Sequence, residues 1–163
     1  MCGLAGEVRF DGGHADVAAV AAMNGRQVSR GPDSEGLFAQ GSVALGHRRL
    51  QIIDLSARAQ QPMVDPALGL AMVFNGCIYN HRELRGELEQ LGYLFFSDGD
   101  TEVVLKAWHA WGHEAPTRFN GMFAFAIAER DSGRLTLARD RPGTKPLYLA
   151  EIPGGLRFAS FLP

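Results

Sequence analysis

A cysteine stands second in the chain, inside the opening Met1-Cys2-Gly3-Leu4-Ala5-Gly6. Removal of the initiator methionine, which the small Cys2 side chain suits, leaves a thiol and a free α-amine on one Cα. A thiol is the most nucleophilic common side chain, yet it is mostly protonated at neutral pH. An α-amine has a pKa of about 7.7–8.0, so it can take and return a proton near working pH. Cys2 therefore carries a nucleophile and its own base. The competing reading is a small buried hydrophobe near the start of the chain. The Cys and His residues show no metal-ligand spacing, so no metal is expected.

The elements that must position such a residue fit one domain of 163 residues, long enough to bury a core. The net charge of -2 is close to neutral, and no basic cluster points to nucleic acid. No apolar run reaches membrane-spanning length, and the N-terminus has no signal-peptide pattern. Two cysteines, Cys2 and Cys77, do not make a disulfide framework. A reduced, cytoplasmic setting is expected.

Leu4 to Phe10 reads as a first strand, ending in the turn Asp11-Gly12-Gly13. Asp16 is a candidate N-cap for a helix carrying Val17, Val20 and Met23, broken at Arg30-Gly31-Pro32-Asp33. Val43 to Leu50 and Leu70 to Phe74 read as strands. Asn80-His81-Arg82-Glu83 has capping-box spacing and opens a helix with Leu84, Leu88 and Leu91 on one face, ended by Gly92. A further helix runs from about Thr101 to Trp111, with Val104, Ala107, Trp108 and Trp111 inward and Gly112 closing it. From Met122 to Ala128, Phe123, Phe125 and Ile127 alternate with Ala124, Ala126 and Ala128. That period of two, uninterrupted by charge, predicts a strand buried on a bulky face and on a small face. Asp131-Ser132-Gly133 turns into a strand from Leu135 to Ala138, and short strands follow near Leu147 to Ile152 and Leu156 to Ala159. Helices and short antiparallel strands make an α+β layered fold, with two stacked sheets accounting for the doubly buried strand.

The connecting segments carry the specific signals. They are Cys2-Gly3-Leu4-Ala5-Gly6, Arg30-Gly31-Pro32-Asp33, Gly46-His47-Arg48-Arg49-Leu50, Gln61-Pro62-Met63 and Asn75-Gly76-Cys77-Ile78-Tyr79-Asn80. Gly99-Asp100-Thr101-Glu102, Phe119-Asn120-Gly121-Met122-Phe123-Ala124 and Asp140 to Tyr148 complete the series. In this order the chain resembles the glutaminase domain of class II glutamine amidotransferases, of the asparagine synthetase branch, over residues 1–163. The resemblance implies the N-terminal-nucleophile hydrolase fold, a four-layer αββα sandwich of two antiparallel sheets. It also implies conversion of glutamine to glutamate and ammonia through a thioester on Cys2. Asn75 and Gly76 would stabilise the oxyanion, Arg49 would grip the α-carboxylate and Asp100 the α-ammonium, with Leu50 and Ile52 also lining the substrate site. Each has a plainer alternative: a type I′ hairpin turn for Asn75-Gly76, an exposed strand charge for Arg49, and a helix cap for Asp100. Arg48 should face away from Arg49 on a regular strand. Arg30 and Asp33 are expected to shape the loop beside Cys2. His47 is a tempting base, but the α-amine already fills that role.

Two departures stand out. Cys77 occupies the place of a Glu that helps hold the substrate ammonium in asparagine synthetases. A Cys there resembles a subgroup that amidates an acetylated glutamine dipeptide. Pro142-Gly143-Thr144 replaces the usual Leu-Gly-Ile. The ATP-pyrophosphatase module of such enzymes, with its phosphate-binding loop, is expected to be absent from this chain, so ATP and Mg would act only in a partner module. The apolar strands between Leu147 and Phe161 would be buried and would form the interface to that module, or the contact of a homodimer. The alternatives are the glutaminase half of another class II amidotransferase and a catalytically silent docking domain.

Overall fold

The computed structural model describes residues 1–162. In chain order the elements are β1 (Gly3–Arg9), α1 (Val17–Gly25), β2 (Ser34–Gln40), β3 (Val43–Arg49), β4 (Met63–Asp65) and β5 (Leu70–Ile78). Next come α2 (His81–Gln90), α3 (Asp100–Trp111), α4 (Ala115–Arg118), β6 (Gly121–Glu129), β7 (Leu135–Arg139), β8 (Tyr148–Ile152) and β9 (Gly155–Ala159). The strands form two antiparallel sheets, one in the order β2-β3-β1-β9-β8 and the other in the order β4-β5-β6-β7.

The alternation along β6 explains how they stack. Phe123, Phe125 and Ile127 pack with Met72 and Phe74 against Leu84, Leu88, Val104 and Trp108 of α2 and α3. Ala124, Ala126 and Ala128 face the other way, toward Leu4, Val8, Val43, Leu45 and Phe158 of the first sheet. Small side chains on that face let the two sheets approach, while the bulky face fills the space under the helices. Each fully buried Phe or Ile contributes about 1.5–3 kcal/mol from apolar burial. On the outer side of the first sheet α1 lays Val20 and Met23 on Ala44. The result is four layers, αββα. Among the described residues, no helix is long and apolar enough to cross a membrane.

Asp16 caps α1 as its position implies, its side chain accepting the Ala19 N–H at 2.9 Å. Three local expectations are overruled by tertiary contacts. Asn75-Gly76 is not a turn: β5 runs on to Ile78, pairing Asn75 with Ala124 and Gly76 with Phe123. The Asn80 side chain does not cap α2. It donates to the Arg118 carbonyl and accepts the Asn120 N–H, tying the start of α2 to the segment leading into β6. Finally, β8 is an exposed edge rather than a buried strand, with Tyr148 43% and Leu149 59% accessible, because it is the last strand of the first sheet and pairs on one side only, with β9.

Candidate active site

Strand parity decides which side chains meet. On β1, Leu4 and Val8 point into the gap between the sheets, so the same parity sends Cys2 there. On β3, Val43 and Leu45 share that face with His47 and Arg49. On β5, Ala71 and Val73 share it with Asn75 and Cys77. At the end of the gap these residues line a cavity of about 220 Å³, with Cys2, Arg49, Leu50, Ile52, Asn75, Gly76, Cys77, Asp100 and Lys145 among its walls. A larger groove of about 560 Å³ opens at the opposite ends of the same strands, among Val43, Leu70 and Ala128, and holds no cysteine.

Cys2 is pinned by its neighbours. The Leu50 N–H donates to Sγ at 3.4 Å, and Arg30 Nε donates to the Cys2 carbonyl at 3.2 Å. Burial pushes the Cys2 thiol up, opposed by the Leu50 hydrogen bond, the N-terminal charge and Arg49. The Arg30-Gly31-Pro32-Asp33 loop reaches Cys2 because Gly31 passes directly over β3, where any Cβ would strike the Arg48 carbonyl and lie 2.6 Å from the Arg49 nitrogen. Asp33 then accepts the Gln51 N–H at 2.8 Å.

Arg49 is 5% exposed, and its guanidinium donates to the carbonyls of Ser56 (3.0 Å) and Asp54. Those two bonds leave further N–H groups of its fork for a ligand. Arg48 faces the other way, donating to the Asn24 carbonyl and pairing with Glu35. Asp100 is buried in the first turn of α3 and accepts the Ile78 N–H at 2.9 Å, rather than capping the helix itself. Burial pushes its carboxyl up, with the Ile78 bond acting in the opposite direction. The loop before Asp100 is held by Glu102, which accepts the Phe96 and Ser97 N–H groups and pairs with Lys106 at 2.6 Å in the interior.

The edge of β5 is unusual. β4 pairs only as far as Met72, so beyond it the outward edge of β5 has no neighbouring strand. Phe74, Gly76 and Ile78 share that edge, since Phe123, opposite Gly76, spends its own N–H and carbonyl on Asp140 of the other flank. Side chains take the N–H groups on either side, Gln61 that of Phe74 at 2.6 Å and Asp100 that of Ile78. The Gly76 N–H points out between them. Beside it Asn75 is 1% exposed, and its Nδ2 is buried without a partner. A buried donor left unpaired costs about 1–3 kcal/mol, so its retention marks a place for an incoming acceptor. Gly76 tolerates no side chain: a Cβ would run into the Met122 carbonyl and lie 2.8 Å from Phe74 Cζ.

Ile52 sits on the rim at 72% exposure. His47 is fully buried and bonded to the Phe74 carbonyl at 3.0 Å, with its pKa lowered to about 4 by that burial. Arg30, Gln61 and Lys145 received no chemical role from the sequence, yet all three bear on this site. Their signal was only their place within the connecting segments that carry the resemblance. Lys145 is 5% exposed, with Nζ 3.2 Å from Met1 Sδ.

Residues 1–163 match the family model described as a glutamine amidotransferase domain. The chain belongs to that family, as a class II glutamine amidotransferase domain. Within it the chain is of the asparagine synthetase type. It is 45% identical over 138 residues to asparagine synthetase [glutamine-hydrolyzing] 1 of Bacillus subtilis, covering 85% of this chain and 22% of that relative. It is 38% identical over 120 residues to asparagine synthetase B of Escherichia coli, covering 74% of this chain and 21% of that protein. The chain thus spans about a fifth of the length of these relatives. Among solved structures, glutamine phosphoribosylpyrophosphate amidotransferase from B. subtilis superposes with a TM-score of 0.63 at 24% identity, over 96% of this chain and 35% of that one. That likeness bears on the fold alone, the N-terminal-nucleophile sandwich.

Proposed function

We propose that this chain releases ammonia from glutamine through a γ-glutamyl thioester on Cys2. The observation that carries the reading is the meeting, in one cavity, of the Cys2 thiol with the buried, unpartnered Asn75 Nδ2. With Met1 removed, the Cys2 α-amine takes the thiol proton as Sγ bonds to the substrate carboxamide carbon. The oxyanion so formed accepts hydrogen bonds from Asn75 Nδ2 and the Gly76 N–H. The C–N bond then breaks, and the α-ammonium returns its proton to the departing ammonia. A water molecule, deprotonated by the same amine, attacks the thioester and releases glutamate and the free thiol. Arg49 holds the α-carboxylate and Asp100 the α-ammonium, while Leu50 and Ile52 close the substrate's flank. Cys77, in place of a carboxylate, leaves Asp100 as the chief partner of that ammonium and is the one residue that supports a reading toward the subgroup acting on an acetylated glutamine dipeptide.

We assign the ammonia to an ATP-dependent amidation module in the same or a partner chain, since the curated relatives are glutamine-hydrolysing asparagine synthetases several times longer. ATP and Mg act there. The exposed edge of β8, with Tyr148 and Leu149 beside Phe161 and Leu162, is the face we assign to that module, and an isolated domain would dimerise through it. The two free cysteines suit a reducing cytoplasm. The test is glutamate release by the wild-type chain and by Cys2→Ala, with intact mass reporting removal of Met1. Cys2→Ala should abolish release while the fold persists, and Cys2→Ser should be very slow. Near-normal release by Cys2→Ala would refute the mechanism.

A further inference from the structure

The edge of β5 that presents Gly76 lacks a neighbouring strand, and two buried side chains stand in for one. Gln61 accepts the Phe74 N–H at 2.6 Å through Oε1. Its Nε2 lies 3.5 Å from Thr101 Oγ1, on the residue after Asp100. His47, from the opposite sheet, bonds the Phe74 carbonyl at 3.0 Å through Nε2. Both backbone hydrogen-bonding groups of Phe74, the residue just before Asn75, are thereby fixed by side chains rather than by a strand. Gln61 and His47 are 4% and 0% exposed. A carbonyl can only accept, so His47 carries its proton on Nε2.

We propose that His47 and Gln61 are positioning residues that hold the Asn75-Gly76 donor pair against the nucleophile. The inference rests on the glutaminase reading above. His47 joins β5 to β3, two residues from Arg49. Gln61 joins β5 to the start of α3, next to Asp100. The donor pair is thus fixed relative to both ends of the proposed substrate site. Neither side chain is in the cavity chemistry as base or ligand. Without them Phe74 loses its anchors on the open edge, and the donors one and two residues on are free to shift. A displacement of about 1 Å in a catalytic group can cost about 10²-fold in rate.

The experiment compares His47→Leu, His47→Gln, Gln61→Leu and Gln61→Glu with wild type and with Cys2→Ala. Glutamate release gives kcat and KM, and titration of the Cys2 thiol with an electrophilic glutamine analogue counts folded sites. His47→Leu and Gln61→Leu should lose about 10- to 100-fold in kcat per titrated site, with KM for glutamine changed less than about threefold. His47→Gln keeps an N–H donor and Gln61→Glu keeps an acceptor, so both should recover most of that loss. If His47→Leu does not fold, Gln61→Leu and its Glu partner carry the same test. Unchanged kcat in the leucine variants, a loss confined to KM, or no recovery in the conservative variants would overturn the assignment. Wild-type release no greater than that of Cys2→Ala would instead overturn the glutaminase reading and this inference together.

Discussion

Replacing Asn75 by leucine should make the protein more stable and far less active. The Asn75 side chain is 1% exposed and its Nδ2 has no partner, so the folded state carries an uncompensated desolvation cost of about 1–3 kcal/mol. Leucine has the same number of side-chain heavy atoms and the same branching, and it places methyl groups where the amide stood. The unpaired donor disappears, and apolar surface is buried beside Val73 and Ala124. A gain of about 1–2 kcal/mol is expected. For a chain of this size that raises Tm by roughly 2–8 °C, at about 2–4 °C per kcal/mol. Over the same substitution, loss of one oxyanion donor should lower kcat by about 10²–10³, or about 2.7–4 kcal/mol of transition-state stabilisation. Calorimetry gives the first quantity and glutamate release the second. Stability and activity therefore move in opposite directions, which loss of fold cannot mimic. Asn75→Ala, which removes the donor but leaves a void, should show the same kcat with a smaller change in Tm. Parallel loss of Tm and kcat in Asn75→Leu, or glutamate release within a few-fold of wild type, would refute the reasoning.

Other substitutions test the remaining groups. Arg49→Ala should raise KM for glutamine much more than it lowers kcat, because the proposed grip on the α-carboxylate is made in ground and transition states alike, and steady-state kinetics resolve the two. Asp100→Asn keeps an acceptor for the Ile78 N–H but removes the charge, so it should weaken glutamine binding. Burial raises the folded-state pKa of Asp100, which favours the protonated form. Its ionisation therefore costs stability at neutral pH, and Asp100→Asn should stabilise the protein there. That gain should vanish as pH falls below the ordinary carboxylate value, which denaturation at several pH values reads directly. His47 acts with the opposite sign. Its pKa is lowered from 6.5 to about 4, so stability present above 6.5 is lost as pH falls through that window, by about 3 kcal/mol at 1.36 kcal/mol per unit. In His47→Gln, which does not titrate, this part of the acid-side loss should be absent.

Much of this molecule was legible from side-chain order. The Phe and Ala alternation of β6 announced a strand buried on both faces, because a period of two leaves no other way to bury both sets. The same parity separated Arg49 from Arg48, and the cap at Asp16 and the turn at Asp131-Ser132-Gly133 followed from local chemistry. Cys2 was conspicuous because its reactivity depends on its place in the chain, which is a property of sequence alone. Other features depended on distant partners. Asn75-Gly76 has the composition of a hairpin turn, and it became strand because β6 pairs with it through Ile78. Asn80 had the spacing of a cap, and it was drawn away to Arg118 and Asn120. β8 looked like buried strand, and its place at the sheet's edge left it exposed. Gln61 and His47 carried no local sign of their role, since the sequence does not say where β4 ends against β5. Which backbone groups a strand leaves unpaired is fixed only when sheets assemble, and there the tertiary structure decided where the donors of the site would point.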